Sequence, residues 1–219
     1  MIEYRLIRSD RRTLSIGIDG EGALVVRAPM RMSTADIEGF LNQKQRWIRE
    51  KQAQVQRAAA RVPALEAGAV VPFWGGELKI AFGNASKAVC ENGVLWLPAC
   101  GDTAGHARKW RLQQAQRLVT PCVAYWAERT GLHPSRIAYG HAATRWGSMN
   151  HQTRSLRLNA ALVHCPQYVV EYVIVHELAH LLHPDHSAAF HAAVRRFLPD
   201  ADERRQALKQ YACLLRLWK

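Results

Sequence analysis

The sequence HELAH at residues 176–180, followed by His186, constrains this 219-residue chain more than any other feature. On a helix, residues four apart lie on one face, so His176 and His180 can reach a single cation while Glu177 projects beside them. His186 lies within reach as a third ligand. The spacing therefore predicts one zinc ion per chain, with a fourth position open to water and Glu177 as the general base.

The segment that carries this motif must be helical, although many of its residues favour strands. It is rich in β-branched side chains between Val169 and Val175. The run from Pro166 to Leu182 is nevertheless too long for a strand, and proline suits a first helical position. Apolar residues on nearly every side predict a buried helix, which would place the metal at the edge of a core.

His183 is an alternative third ligand because it follows on the same helical face. At ~1.5 Å rise per residue it would lie roughly 10 Å along the axis from His176, too far for one ion to bind both at ~2.0–2.1 Å. Pro184 also disfavours helical geometry at His183. We therefore expect the chain to turn here and bring His186 to the metal, after which Ser187 caps another helix.

The chain is strongly basic, with a formal net charge of +12 and a pI of about 10.0. Such a charge favours polyanions, including nucleic acid and nucleotides. The basic residues are spread along the sequence, and no basic run alternates with exposed aromatics. This distribution is more typical of a solubilising surface, and it leaves a nucleic-acid partner open.

The cysteines and the hydropathy pattern bear on the compartment. The five cysteines are scattered and form no CxxC pair, which argues against a disulfide framework and against a cysteine-based zinc site. No window approaches the ~20 apolar residues of a membrane span. We expect a cytoplasmic protein with no membrane partner, and the oligomeric state is left open.

Periodicity predicts an α+β fold. Residues 1–103 form a β-rich region with one long helix: an antiparallel meander, a helix capped by Ser33 that ends near Ala60, and two hairpins. Gly75-Gly76 and Asn92-Gly93 are the expected turns. The strands of the meander are expected at Glu3–Arg8, Thr13–Ile18 and Ala23–Ala28, and the hairpins at Val70–Phe82 and Lys87–Leu97.

Residues 104–219 form the predicted catalytic domain. A helical pattern extends from about Gly105 to Arg129, and Pro121 must either kink it or start a second helix. Two strands, Arg136–His141 and Ser155–Leu158, flank the segment from Thr144 to Ser148. Asp200 opens the last amphipathic helix.

These residues resemble the YgjP-like family of bacterial metal-dependent hydrolases. The resemblance rests on Arg145-Trp146-Gly147-Ser148, Leu158-Asn159, Pro166, the HELAH helix, His186-Ser187 and Phe190, and it extends to Trp47-Ile48. It implies His176, His180 and His186 as ligands and Glu177 as the catalytic residue. The family is similar to the WLM and SprT-like metalloproteases, which implies a small zincin-like core.

Two departures from related patterns narrow the resemblance. Met149 stands where many relatives have a cysteine, which argues against a catalytic thiol at this position. His183 replaces the glycine that metzincins have between the second and third histidines, so a metzincin proper is disfavoured.

Arg145 allows two interpretations. Its guanidinium can hold a carboxylate or phosphate bidentately at the cleft, as a catalytic residue. Alternatively, the segment is a tight turn with Trp146 buried and Gly147 at positive φ. Tyr139, His141 and Tyr172 are further candidates for hydrogen-bond donors to the transition state.

The leading hypothesis is a zinc metallopeptidase that acts on peptides or proteins. The first alternative is a metal-dependent nucleoside triphosphate pyrophosphohydrolase, because the same water can attack phosphorus and the arginine excess suits a polyphosphate. The second is a DNA-associated protease, which the WLM and SprT resemblance implies. The physiological substrate and the metal used in the cell are not determined by the sequence.

Overall fold

The computed structural model describes residues 3–19, 22–59 and 62–218. By their contacts, residues 1–61 and 62–219 form two compact units. The predicted helix end at Ala60 lies outside the described residues. No helix within the described ranges is both long enough and apolar enough to cross a membrane.

The chain contains strands and helices in both units, which confirms the predicted α+β class. The strands are β1 (Arg5–Ser9), β2 (Ser15–Ile18), β3 (Leu24–Pro29), β4 (Val70–Phe73), β5 (Gly76–Gly83), β6 (Val89–Glu91), β7 (Val94–Pro98), β8 (Arg136–Gly140), β9 (Gly147–Asn150) and β10 (Ser155–Asn159). The helices are α1 (Thr34–Gln43), α2 (Gln45–Ala59), α3 (Thr103–Thr130), α4 (Gln167–Ala179), α5 (Ala188–Phe197) and α6 (Ala201–Gln210).

The first unit has a three-stranded sheet in the order β1-β3-β2. The predicted antiparallel meander is wrong, because β1 pairs in parallel with β3 and only β2 pairs antiparallel with it. The apolar residues of β3 are buried, so this strand takes the central place. Ser33 caps α1 as predicted, but Lys44 separates α1 from α2.

The second unit begins with the two predicted hairpins, joined in a four-stranded sheet of order β4-β5-β7-β6. The first turn falls at Trp74-Gly75, one residue before the predicted position, and the second at Asn92-Gly93; all four residues have positive φ. Trp110 of α3 and Leu217 near the C-terminus pack on this sheet.

Helix α3 is a single helix, so the alternative of a second helix beginning at Pro121 is wrong. Asp102 caps its first turn by accepting a hydrogen bond of 2.7 Å from the Gly105 amide. Gly131 ends it in the left-handed conformation, at φ 69°. The helix therefore contributes to both cores of the second unit, Trp110 to one and Val119 and Val123 to the other.

The third sheet has the order β8-β10-β9 and lies beside α4. Strands β8 and β10 are parallel, and β9 runs antiparallel to β10. Helix α4 is buried, as its apolar sequence predicts. The division predicted between residues 103 and 104 stays a prediction about domains; in the structure residues 62–103 belong to the compact unit that also contains α4.

Candidate metal centre and catalytic cleft

Helix α4 carries two of the three predicted histidines near its C-terminal end, and the third, His186, follows in the segment before α5. His176 lies in its last turn and His180 follows at its C-cap. The chain turns before α5, which Ser187 caps as predicted by accepting from the Phe190 amide. Phe190 contacts the cluster, with its ring centroid 4.5 Å from that of His180 and 4.9 Å from that of His176.

The three histidines converge on a point that a metal ion fits. One nitrogen atom from each of His176, His180 and His186 lies within 4.8 Å of the others. The Nε2 atoms of His176 and His186 are 3.3 Å apart. Two nitrogens bound at ~2.05 Å to a tetrahedral ion are about 3.3 Å apart, so the measured distance matches an edge of a zinc site.

His176 and His180 have features that metal ligands need. Burial, with the neighbouring His180 and His186, lowers the pKa of His176 to about 3, and burial lowers that of His180. His180 donates from Nδ1 to the carbonyl of His183 at 3.1 Å, which leaves Nε2 free for a cation. His183 therefore contributes its backbone to the site, and its side chain is not in the cluster.

Glu177 is buried beside the histidines, with 6% of its surface exposed. Burial raises the pKa of Glu177 to about 7, although a hydrogen bond from the Met149 amide and the charge of Arg145 both act to lower it. Strand β9, which contains Met149, thus holds the Glu177 carboxylate from one side. An acid with a pKa near neutrality suits proton transfer in both directions.

Position 147 requires glycine because the Glu177 side chain lies against it, and not because the chain turns there. Gly147 begins β9 and does not have a positive φ, so the interpretation of a tight turn at Gly147 is wrong. A Cβ atom here would lie 2.7 Å from both Cγ and Oε1 of Glu177. Glycine is therefore the residue that lets the catalytic candidate lie against the strand.

Asn159 organises the segment that carries Arg145. Its amide nitrogen Nδ2 donates to the carbonyls of Ala142 at 2.6 Å and Arg145 at 2.9 Å. Its backbone amide donates to the carbonyl of Trp146 at 2.8 Å. The Arg145 side chain is exposed and lines the cleft, whereas its backbone is held by Asn159. The sequence motif contained Asn159 but gave no signal of this role.

A cleft of about 590 Å³ opens over the histidines and Glu177. Trp146 and Met149 form part of its wall, so Trp146 is half-buried at the cleft instead of fully packed. Two cations of α6, Arg205 and Lys209, also line it. Sequence reasoning missed both, because nothing in their spacing links them to a motif more than twenty residues earlier.

The three candidate donors are placed differently. The Tyr139 hydroxyl is 2.9 Å from the Thr120 hydroxyl, and Nδ1 of His141 accepts from Arg111 at 2.8 Å. Neither residue lines the cleft. Tyr172 does line it, and its ring centroid lies 5.8 Å from that of His176.

The chain is similar to some proteins of known structure. Solved structures similar to the chain include two metallopeptidase zymogens. Jannalysin of Methanocaldococcus jannaschii is 22% identical, with a TM-score of 0.38 over 42% of this chain and 94% of that chain. Abylysin of Pyrococcus abyssi is 18% identical, with a TM-score of 0.39 over 42% and 93%. No curated protein matches the chain.

The family comparison covers most of the sequence. Residues 12–211 match the YgjP-like family in its metallopeptidase domain. This range includes the histidine cluster, Glu177, and the cations of the cleft. A metallopeptidase domain implies a bound metal ion and a peptide substrate. The chain therefore belongs to the YgjP-like family of metallopeptidase-domain proteins.

Proposed function

We propose that this protein is a zinc-dependent peptidase that binds one ion per chain through His176, His180 and His186 and uses Glu177 as its general base. The observation that carries the proposal is the convergence of three histidine nitrogens beside a buried carboxylate at the floor of one cleft. A set of three imidazoles suits zinc, and an ion held by them would have room for reactants.

Each residue of the cleft has a distinct task. A divalent cation held by the histidines would supply Lewis acidity, which lowers the pKa of water and polarises the scissile carbonyl. Glu177 accepts the proton of the attacking water and returns it to the leaving amine. The Met149 amide keeps the Glu177 carboxylate in position through both transfers.

Arg145 is proposed to bind an anionic group of the substrate. Its side chain is exposed at the cleft, and its charge is close enough to act on the pKa of Glu177. It forms no ion pair within 4.0 Å among the described residues, so its guanidinium is available. Because its backbone is fixed by Asn159, the side chain projects from a held position.

Hydrolysis of a nucleoside triphosphate is the second candidate. The observation that favours it is the presence of three cations, Arg145, Arg205 and Lys209, in the same cleft. We rank it second because the family match is to a metallopeptidase domain. The DNA-associated protease implied by the WLM and SprT resemblance stays a prediction, and salt-dependent DNA binding would test it.

The experiment that tests the proposal is a hydrolysis screen of unstructured proteins, peptide libraries and nucleoside triphosphates, with Glu177→Gln as the control. Glutamine retains the size of the side chain but cannot accept the proton. We expect the Glu177→Gln protein to retain its fold and zinc while turnover falls by about 10² to 10⁴.

Metal content separates the possible failures. Elemental analysis should find one zinc per chain in the wild type and in Glu177→Gln, and far less in His186→Ala. Loss of zinc from Glu177→Gln would make Glu177 either a ligand or a residue that the fold requires. Near-normal turnover by that protein would show that the measured activity arises elsewhere.

A further inference from the structure

The wall of the cleft formed by α6 is positively charged. Arg205 and Lys209 both line the cleft, and both are exposed. Residues four apart on a helix lie on one face, about 6 Å apart along the axis. Leu208 and Ala212 line the cleft beside them, so this face presents two cations on an apolar surface.

Neither cation of this face forms an ion pair within 4.0 Å with an acidic side chain of the described residues. Lys209 donates to the uncharged Gln206 side chain at 2.9 Å. Arg205 forms no hydrogen bond and no ion pair within 4.0 Å with any residue in the described ranges. Asp202, three residues earlier in the helix, pairs with Arg195 at 2.9 Å, and the charge of Arg205 has only a smaller influence on it. The two charges are therefore available to a ligand in the cleft.

The neighbouring cation Arg204 is paired with acidic side chains, unlike Arg205 and Lys209. Arg204 is held by Glu171 and by Asp200, each at 2.9 Å, and most of its side chain is covered. It also donates to the carbonyl of Tyr168 in α4. Arg204 thus fastens α6 to α4, which fixes the direction in which Arg205 and Lys209 face.

Arg205 lies near the candidate metal ligands. It lines a second, small pocket together with His176 and Tyr172. A group bound near Arg205 would therefore lie close to the histidine cluster. Within the cleft lining, the only carboxylate that opposes these cations is Glu177.

We propose that Arg205 and Lys209 make the cleft selective for peptide substrates that carry an acidic side chain next to the scissile bond. This inference rests on the proposed peptidase function and names its substrate class. Exposed lysines and arginines of a helix are usually a solvated face. Here both cations line the cleft, neither is paired with an acid, and the cleft has a net positive lining.

The preference should be moderate and should depend on salt. Two exposed charge pairs give about a threefold to tenfold preference for an acidic peptide over its neutral counterpart. Because the Debye length falls from ~10 Å at 0.1 M salt to ~3 Å at 1 M, the preference should shrink at high salt.

The test uses the whole 219-residue chain, loaded with zinc, and internally quenched peptides of one sequence. Single positions on either side of the scissile bond carry Glu, Gln or Lys in turn. We expect kcat/KM in the order Glu, Gln, Lys for the wild type. The double variant Arg205→Gln/Lys209→Gln should lose the order while it retains zinc and an unchanged Tm.

A matched control removes two other positive charges from the same unit. Arg136 and Arg196 are exposed and do not line the cleft. The Arg136→Gln/Arg196→Gln protein should retain the full preference for Glu. If it loses the preference as the first double variant does, the effect comes from net charge and the proposal is wrong.

A second readout does not require turnover. Calorimetry with the Glu177→Gln protein measures binding of the same Glu, Gln and Lys peptides, before and after Arg205 and Lys209 are replaced. A preference that disappears with these two residues supports the inference even if the wild type cleaves none of the peptides, in which case only the peptidase proposal fails.

Two results would overturn the inference. One is a wild type with equal affinity and equal kcat/KM for all three peptides. The other is binding of nucleoside triphosphates that depends on Arg205 and Lys209 while peptides of every charge bind equally, because the two residues would then recognise phosphate.

Discussion

Two regions of the second unit place a histidine beside a buried ionisable side chain, and the two histidines have different partners. In the cleft, His176 and Glu177 face an open volume of about 590 Å³. In the core between α3 and the C-terminal residues, His164 is fully buried and Arg111 is 2% exposed. Each region has one histidine and one ionisable residue, but the side chains of the two regions contact different groups.

In the closed core, His164 and Arg111 each bind the protein's own backbone through one nitrogen, while Nε2 of His164 and Nε of Arg111 have no hydrogen-bond partner among the described residues. His164 donates from Nδ1 to the carbonyl of Pro72 at 2.7 Å. Arg111 donates to the carbonyl of Leu217 at 2.8 Å, and its guanidinium lies 5.9 Å from the ring of Trp218. These contacts link distant parts of the chain, so this histidine and this arginine hold the fold together.

In the cleft, the histidine nitrogens face one another instead. His176 and His186 approach to 3.3 Å through atoms that no carbonyl occupies. Burial lowers the pKa of His164 and of His176 to about 3 in each case, so protonation does not distinguish them. The comparison indicates that a histidine is a candidate metal ligand when its unbonded nitrogen faces the nitrogens of other histidines at a cavity.

The largest effect that would sharpen this comparison is expected from Gly147→Ala. The added Cβ would force Glu177 to move, and a displacement of about 1 Å at a catalytic group can cost about 10²-fold in rate. We expect kcat/KM to fall by about that factor while Tm changes little. Gly140→Ala is the control, since a Cβ at Gly140 meets nothing within 4 Å.

The opposite result for Gly147→Ala would break the comparison. A large loss of Tm with normal specific activity would mean that Gly147 serves the packing of β9 and that Glu177 is not needed where it lies.

The second prediction concerns the closed core, where His164 should make the free energy of unfolding depend on pH. Burial lowers the pKa of His164 to about 3, against ~6.5 when unfolded, so its contribution is present above pH ~6.5 and is lost as the pH falls toward 3. From pH 7.5 to pH 5 this loss is about 2 kcal/mol of unfolding free energy. His164→Asn retains a donor but does not titrate.

Urea denaturation at the two pH values measures this effect. The His164→Asn protein should be less stable than the wild type at pH 7.5, because it loses packing against Trp218. Its further loss on acidification should be smaller by about 2 kcal/mol. Equal losses in the two proteins would show that His164 is protonated at little cost.

The smallest of these effects is expected from Arg145→Ala. Its backbone carbonyl accepts the bond from Asn159, and alanine retains that carbonyl, so the segment should keep its structure. Loss of one charge-assisted contact to substrate should lower kcat/KM about tenfold, which is ~1.4 kcal/mol. A lowered Tm with unchanged kcat/KM would assign Arg145 to the fold.

Much of the site was predictable because its signals are local. The spacing of His176, His180 and His186 follows from helix geometry and a proline, and the second hairpin turn follows from Asn92-Gly93, two residues that tolerate positive φ. The long apolar run of α4 identified a buried helix despite its β-branched residues. In each case a short stretch of sequence determines the structure.

The remaining features depend on contacts between distant residues. The parallel pairing of β1 with β3 depends on which strand has the most apolar surface to bury. A prediction that pairs each strand with the next in sequence gives β1 the wrong partner, β2. The role of Gly147 depends on Glu177, thirty residues later. Arg205 and Lys209 face the cleft because Arg204 joins α6 to α4, a contact that periodicity does not encode.

The turn between α4 and α5 has a consequence for folding. His176 and His180 precede this turn and His186 follows it, so an ion bound to all three would join the end of α4 to the segment that leads into α5, and its binding free energy would stabilise the folded turn. Order in α5 and metal content are then linked. On chelation we expect amide hydrogen exchange to rise in residues 183–197, while the buried start of α4 stays protected; uniform exchange in both would show that the ion does not fasten the two helices.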